Sequence, residues 1–294
     1  MEGKRKKGLM CGIGAYLMWG SLPIYWKLLD EVAALEILAN RFIWSAIFVI
    51  LLLFLFKKQQ EFLQETKELF SSWRSGLTMF LAALTICCNW GTYIWSVTSG
   101  RIVEASMGYY INPLVSILFG LIFLKERMNS LQVLAVLCAA LGIGIMIIQN
   151  GSLPWVSVTL AMSFAFYGLL KKVIKVQALT SILLETLFMV PVALGYLYYL
   201  SQNGGNSYQN AGWSIQLLLA GAGVVTAVPL LFFTRSAQLL PLNILGFIQY
   251  LAPTISLLLG VFVYNEVFDT THLYAFSCIW LGLLFFIWSQ LRVR

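Results

Sequence analysis

Very few side chains in this sequence are equipped for bond-making chemistry. There is one histidine, His272, so neither a Ser/His triad nor a multi-histidine metal site is available. No G-x-x-x-x-G-K-[ST] stretch occurs, so the chain has no such cradle for nucleotide phosphates. The cysteines Cys11, Cys87, Cys88, Cys138 and Cys278 lie in apolar stretches without C-x-x-C pairs and read as small buried apolar residues. No enzyme, cofactor or metal is expected. What remains is recognition chemistry. Arg41 carries the planar fork that suits a carboxylate or phosphate, and Glu104 is the carboxylate best placed to pair with it. Asn89, Asn112 and Gln249 offer neutral hydrogen bonds, while Trp19, Trp95, Tyr110, Tyr167 and Tyr250 offer aromatic faces, most with polar handles. These residues sit in or at the ends of apolar stretches, where a polar group is costly and marks a functional hypothesis. Plainer readings stand beside this one. Arg41 can snorkel to an interface, Glu104 can favour a helix N-terminus, the amides can bridge helices and the aromatics can simply pack.

The elements that must position these groups follow from composition. Of 294 residues 60% are hydrophobic and 11% charged, and the mean hydropathy is +0.83. Soluble domains carry about 25% charged residues, so a soluble enzyme or binding module is excluded. Ten apolar segments stand at about 9–29, 36–56, 76–98, 103–124, 131–149, 153–171, 179–200, 214–234, 242–264 and 271–290. Each is long enough, at roughly 20 residues, to cross a bilayer. Each must be a helix, because lipid leaves backbone groups no other partner and the runs lack the alternation of barrel strands. The expectation is an all-α integral membrane protein of ten transmembrane helices. The net charge of +7 belongs to membrane topology and does not imply nucleic acid. The mixed-charge stretch 57–75 predicts a short interfacial helix, and Ser201–Gly212 a flexible loop without a binding motif.

With the N-terminus inside, 16 of the 19 Lys and Arg residues fall on the inner side, leaving Lys27, Arg41 and Arg101 at or near outer ends. Both termini are therefore expected in the cytoplasm. The chain also repeats itself. Tyr110, Pro113, Glu126 and Leu141-Gly142 recur as Tyr250, Pro253, Glu266 and Leu281-Gly282, all displaced by 140 residues. Trp19-Gly20 falls on Tyr167-Gly168 at a displacement of 148, with Glu36 near Glu185. Five helices per repeat invert the second copy, so the units 9–149 and 153–290 form inverted repeats. That is the plan of many secondary transporters, whose substrate site lies between the halves near the midplane. Pro113 and Pro253 predict matching bends. The small-residue motifs Gly8-x-x-x-Gly12 and Ala140-x-x-x-Gly144 leave two readings open, close folding contacts or a homodimer through the fifth and tenth spans.

Gly14-Ala-Tyr-Leu-Met-Trp-Gly20, Glu36-Ile-Leu-Ala-Asn-Arg-Phe-Ile-Trp-Ser45, Asn89-Trp-Gly-Thr-Tyr-Ile-Trp95, Glu104-Ala-Ser-Met-Gly-Tyr-Tyr-Ile-Asn-Pro113, Phe164-Ala-Phe-Tyr-Gly168 and Leu245-Gly-Phe-Ile-Gln-Tyr-Leu-Ala-Pro253 resemble the EamA-type transporters of the drug/metabolite transporter superfamily. Within them the chain is most similar to the RarD, or chloramphenicol-sensitive protein, branch. The resemblance implies a bacterial inner-membrane protein with two EamA repeats that moves a small organic metabolite or drug, in the export direction. An uncoupled facilitator or channel and, further off, a membrane receptor are the alternatives. The topology is directly testable. A cytoplasm-active reporter fused after Arg294 should work and a periplasm-active one should stay silent; the reverse pattern overturns the orientation.

Overall fold

The computed structural model describes residues 2–98, 102–151, 155–207, 212–263 and 270–292, and among them every extended element is helical. The helices are α1 (Glu2–Trp26), α2 (Ala34–Leu55), α3 (Gln59–Ser71), α4 (Trp73–Thr98), α5 (Ile102–Leu124), α6 (Ser130–Asn150), α7 (Trp155–Val173), α8 (Ala178–Gln202), α9 (Trp213–Leu239), α10 (Leu242–Gln249), α11 (Leu251–Phe262) and α12 (Thr270–Arg292). By length and composition, seven stretches among the described residues suffice to cross a membrane: those in α2 and α5 to α9, and one running through α10 and α11. The outward surface is apolar along these helices, as at Leu55, Ile148 and Val192. The interfacial stretch is indeed helical, as α3.

The principal packing joins the first half of the chain to the second. α6 lies along α12, α5 against α7 and α10, α1 against α9 and α11, α2 against α8 and α9, and α4 against α7 and α8. The α6–α12 seam is a backbone contact. A Cβ on Gly142 would stand 2.4 Å from the Ala275 carbonyl oxygen and 3.3 Å from the Cys278 Cβ. A Cβ on Gly282 would stand 2.6 Å from the Ala135 carbonyl oxygen and 3.3 Å from the Cys138 Cβ. Only glycine lets the helices approach this closely.

Carboxylates from the first half hold segment starts in the second. Glu126 accepts the backbone N–H groups of Leu242 at 2.6 Å and Asn243 at 2.8 Å, at the start of α10. Glu65 of α3 accepts from the Gln177 N–H at 3.1 Å and from the Thr180 hydroxyl, at the start of α8. Free helix N–H groups and the helix dipole both favour a carboxylate there. Beside them Lys58 and Gln177 donate to Glu61, holding its carboxyl below the usual range. Glu36 accepts the Ser207 N–H at 2.8 Å and its hydroxyl at 2.9 Å. This corrects the expectation of a wholly flexible loop between α8 and α9: it is tied to α2 at Ser207, while residues 208–211 lie outside the described ones.

The two proline stretches differ in continuity. α5 runs unbroken through Pro113, whereas the equivalent stretch divides at Tyr250 into α10 and α11. The division puts Pro253 in the first turn of α11, where the N–H it lacks would have had no helical partner. Nothing in the packing explains why α5 does not divide likewise. The seam gives a stability prediction. Gly142→Val and Gly282→Val should each cost about 1–3 kcal/mol through overpacking, read as a lower melting temperature in detergent. Gly144→Val, with nothing within 4 Å of a Cβ, should not; equal effects at all positions would refute the tight seam.

Candidate functional site

The strongest polar cluster comes from two i, i+4 pairs facing each other across the α7–α8 hairpin. Tyr167 and Lys171 lie one turn apart on α7, and Ser181 and Glu185 one turn apart on α8. Lys171 Nζ donates to Glu185 Oε1, and to Ser181 Oγ at 2.7 Å. Ser181 Oγ donates to Glu185 Oε1 at 2.9 Å, and the Tyr167 hydroxyl donates to Glu185 Oε2 at 2.8 Å. Lys171 is fully buried and Glu185 is 4% exposed. Charges so placed persist because each is paired and hydrogen-bonded. Counting Lys171 by its side of the membrane gave no sign of this buried pairing. The signal available was spacing, Tyr-x-x-x-Lys followed by Ser-x-x-x-Glu on adjacent helices.

A second polar group joins α5 to α10. Ser116 lies one turn after Asn112; its Oγ donates to Asn112 Oδ1 at 3.4 Å, and Gln249 Nε2 donates to Ser116 Oγ at 3.1 Å. The predicted pair Asn112 and Gln249 is thus brought together through a serine the sequence reading passed over. Tyr110 donates to the Pro253 carbonyl at 3.4 Å and meets the Phe276 ring edge-on at 4.9 Å. The Tyr250 hydroxyl is buried with no hydrogen-bond partner, as are those of Tyr16 and Thr234. Tyr16 lies beside Gln249, and Thr234 beside Tyr167. Aromatic rings link these groups. Trp19 packs on Tyr16, Phe164 and Phe233, and Tyr167 stacks on Phe233 with centroids 5.8 Å apart.

Asn89 takes the bridging role. Its Nδ2 donates to the Leu160 carbonyl and to Ser163 Oγ, both at 2.9 Å, tying α4 to α7. Arg41 is half-buried. Its Nε donates to Thr226 Oγ1 at 2.9 Å, and its guanidinium carbon lies 4.2 Å from the Trp90 ring centroid and 5.0 Å from that of Trp26. The structure does not bring Trp95 to this group: it is exposed and packs on Trp155 with centroids 5.1 Å apart. Glu104 belongs to α5, but its side chain lies outside the described residues, as do those of His272 and Glu266. A cleft of about 410 Å³ sits elsewhere, at the start of α1, lined by Lys6, Lys7, Met10 and Phe232 among others.

Residues 6–148 match the family described as "EamA-like transporter family". The "Uncharacterized transporter YojE" of Bacillus subtilis is 46% identical over 98% of this chain and 95% of its own. "Protein RarD" of Escherichia coli is 40% identical over 100% and 98%, and "Chloramphenicol-sensitive protein RarD" of Pseudomonas aeruginosa 30% over 98% and 95%. A solved crystal structure, 17% identical, superposes with a TM-score of 0.68 over 96% of this chain and 97% of its own, a likeness of fold.

The buried ion pair gives its own prediction. Lys171→Met leaves the Glu185 charge uncompensated and should cost about 3–5 kcal/mol. Lys171→Met with Glu185→Leu should recover most of that loss in melting temperature. A double variant no better than the single one would refute the pairing.

Proposed function

The chain belongs to the EamA-like transporter family, in its RarD branch, and from that premise we propose that it is a secondary transporter exporting a small organic solute by alternating access. It is a multi-pass bacterial membrane protein with transporters as relatives. On this reading ten helices span the inner membrane with both termini cytoplasmic: α1, α2, α4 to α9, the α10–α11 pair and α12. They form two inverted five-helix repeats, 9–149 and 153–290. The helix starts at Trp73 and Trp213 support this, since they are 140 residues apart. So does the exchange of contacts. Swapping α1, α2, α4, α5 and α6 with α7, α8, α9, α10–α11 and α12 turns the α5–α7 contact into α10–α11 with α1, and α1–α9 into α7–α4. It leaves α2–α8, α5–α10 and α6–α12 unchanged, and it exchanges the glycines of the seam.

One observation carries the mechanism. Trp90, Tyr93 and Tyr109 fall, at the 140-residue displacement, on Leu230, Phe233 and Gln249. Tyr109 is 37% exposed and Trp90 and Tyr93 are partly exposed, whereas Leu230, Phe233 and Gln249 are all buried. Equivalent positions in the two repeats thus differ in access. A carrier held open to one side has this asymmetry, and a pore open throughout would not need it. In the proposed orientation the open side is the outer one. The solute site then comprises Trp19, Arg41, Asn89, Glu104, Tyr110, Asn112, Tyr167, Gln249 and Tyr250. The buried hydroxyls of Tyr16, Thr234 and Tyr250 supply polar groups that a guest or water can reach for.

Purified protein should be screened for thermal stabilisation by amino acids, nucleobases and aromatic antibiotics, and the stabilising solutes tested in proteoliposomes. Saturable uptake accelerated by the same solute preloaded inside is the expected result. Flux linear in concentration without counterflow would favour a channel. Gln249→Leu should remove the flux at near-normal membrane abundance; if only abundance falls, the residue serves packing.

A further inference from the structure

A cation among apolar helices is costly unless something anionic meets it. The chain answers that cost for Lys171 with Glu185, and among the described residues the ion pairs are that one and Lys58–Glu61. Arg41 has no such answer among them. Its Nε proton goes to Thr226, and its faces neighbour Trp26 and Trp90. A guanidinium has five N–H groups, so the terminal nitrogens keep their donors for something else. Two rings within about 5 Å limit where the guanidinium can turn, and its remaining N–H groups form the fork for a two-pronged bond to a carboxylate. The position is reachable, since Arg41 is only half-buried and Tyr93 and the 37% exposed Tyr109 stand beside it. Among the described residues, the rings and the hydroxyl around it bring no second cation, which favours a single negative charge over a phosphoryl dianion. Trp26, Trp90, Tyr93 and Tyr109 supply apolar surface next to that charge.

We propose that the solute carries a carboxylate, bound edge-on by Arg41, with its apolar or aromatic body against Trp90, Tyr93 and Tyr109. This rests on the transport reading above and adds the chemical class of the cargo. Sequence spacing suggested Glu104 as the partner of Arg41, and the test separates an internal partner from an external one.

The full chain in lipid nanodiscs is melted with phenylacetate, phenylacetamide, sodium chloride and inorganic phosphate at matched ionic strength. Phenylacetate should raise the melting temperature saturably, with a midpoint at least about tenfold below that of the amide. Chloride and phosphate should not reproduce the shift. Arg41→Gln should erase the preference for acid over amide, and Arg41→Lys, which keeps charge but not the fork, should weaken it about tenfold. Equal effects of acid and amide would overturn the proposal and leave Glu104 as the partner of Arg41. A shift reproduced by chloride or phosphate would overturn it in favour of an inorganic anion, and a preference surviving in Arg41→Gln would overturn the role of Arg41. If Arg41→Gln does not fold, the acid–amide comparison on the unaltered chain decides alone. Counterflow of a neutral solute that Arg41→Gln leaves intact would remove this inference while sparing the transport reading; acid-selective binding without any flux would do the reverse.

Discussion

The rest of the structure depends on one constraint: a polar group surrounded by hydrocarbon must find its partner inside the chain. Backbone groups meet it by forming helices. Side chains meet it across helices, and nearly all the cross-links described above serve that need. Asn89 finds a carbonyl and a serine on α7, Ser45 donates to the Gly223 carbonyl at 3.0 Å, and Ser236 to the Gly8 carbonyl at 2.9 Å. Where the partner sits on the other half of the chain, as in these three cases, satisfying a polar group and joining the halves are one act; the Lys171–Glu185 cluster meets the same need within the second half. The hydroxyls of Tyr16, Thr234 and Tyr250 stay without a partner, as do Thr66 Oγ1 and Asn243 Oδ1.

Much of this was legible before any coordinates. Apolar runs located the helices because the bilayer imposes a length, and the mixed-charge stretch gave away α3 because only an interfacial segment tolerates such a composition. Asn112 and Gln249 could be named because polar residues in the middle of apolar runs are conspicuous. Their connector Ser116 was not, since a serine one turn away from an asparagine is ordinary in such helices. Lys171 escaped for a different reason. It stands next to Lys172 and near Lys175, and a run of lysines at a helix end looks solvated. Burial of one member depends on which face of α7 meets α8, a property of packing that the local sequence does not state. The break at Tyr250 was hidden similarly, because Pro113 and Pro253 look alike and only the stretch holding Pro253 divides.

The carboxylates show how charge at the membrane edge can be structural. Glu126 and Glu65 look like ordinary loop and surface residues, yet Glu126 receives the first N–H groups of α10 and Glu65 the N–H of Gln177, just before α8. Glu36 reaches the α8–α9 connection in the same way. A charged residue near a membrane surface therefore carries two kinds of information. Its sign biases which side it occupies, and its reach determines which helix it starts.

The glycine seam has a mechanical meaning. Where α6 and α12 meet at Gly142 and Gly282, carbonyl oxygens approach bare backbone, and Ile143, Phe276 and Ile279 pack beside that contact. Interfaces built only of long side chains can store alternative arrangements by switching rotamers. At the two glycines there is no rotamer to switch, so the helices keep their spacing there. Any rearrangement that opens one end of the bundle and shuts the other has to turn about that fixed line, as a door turns about its hinge pin.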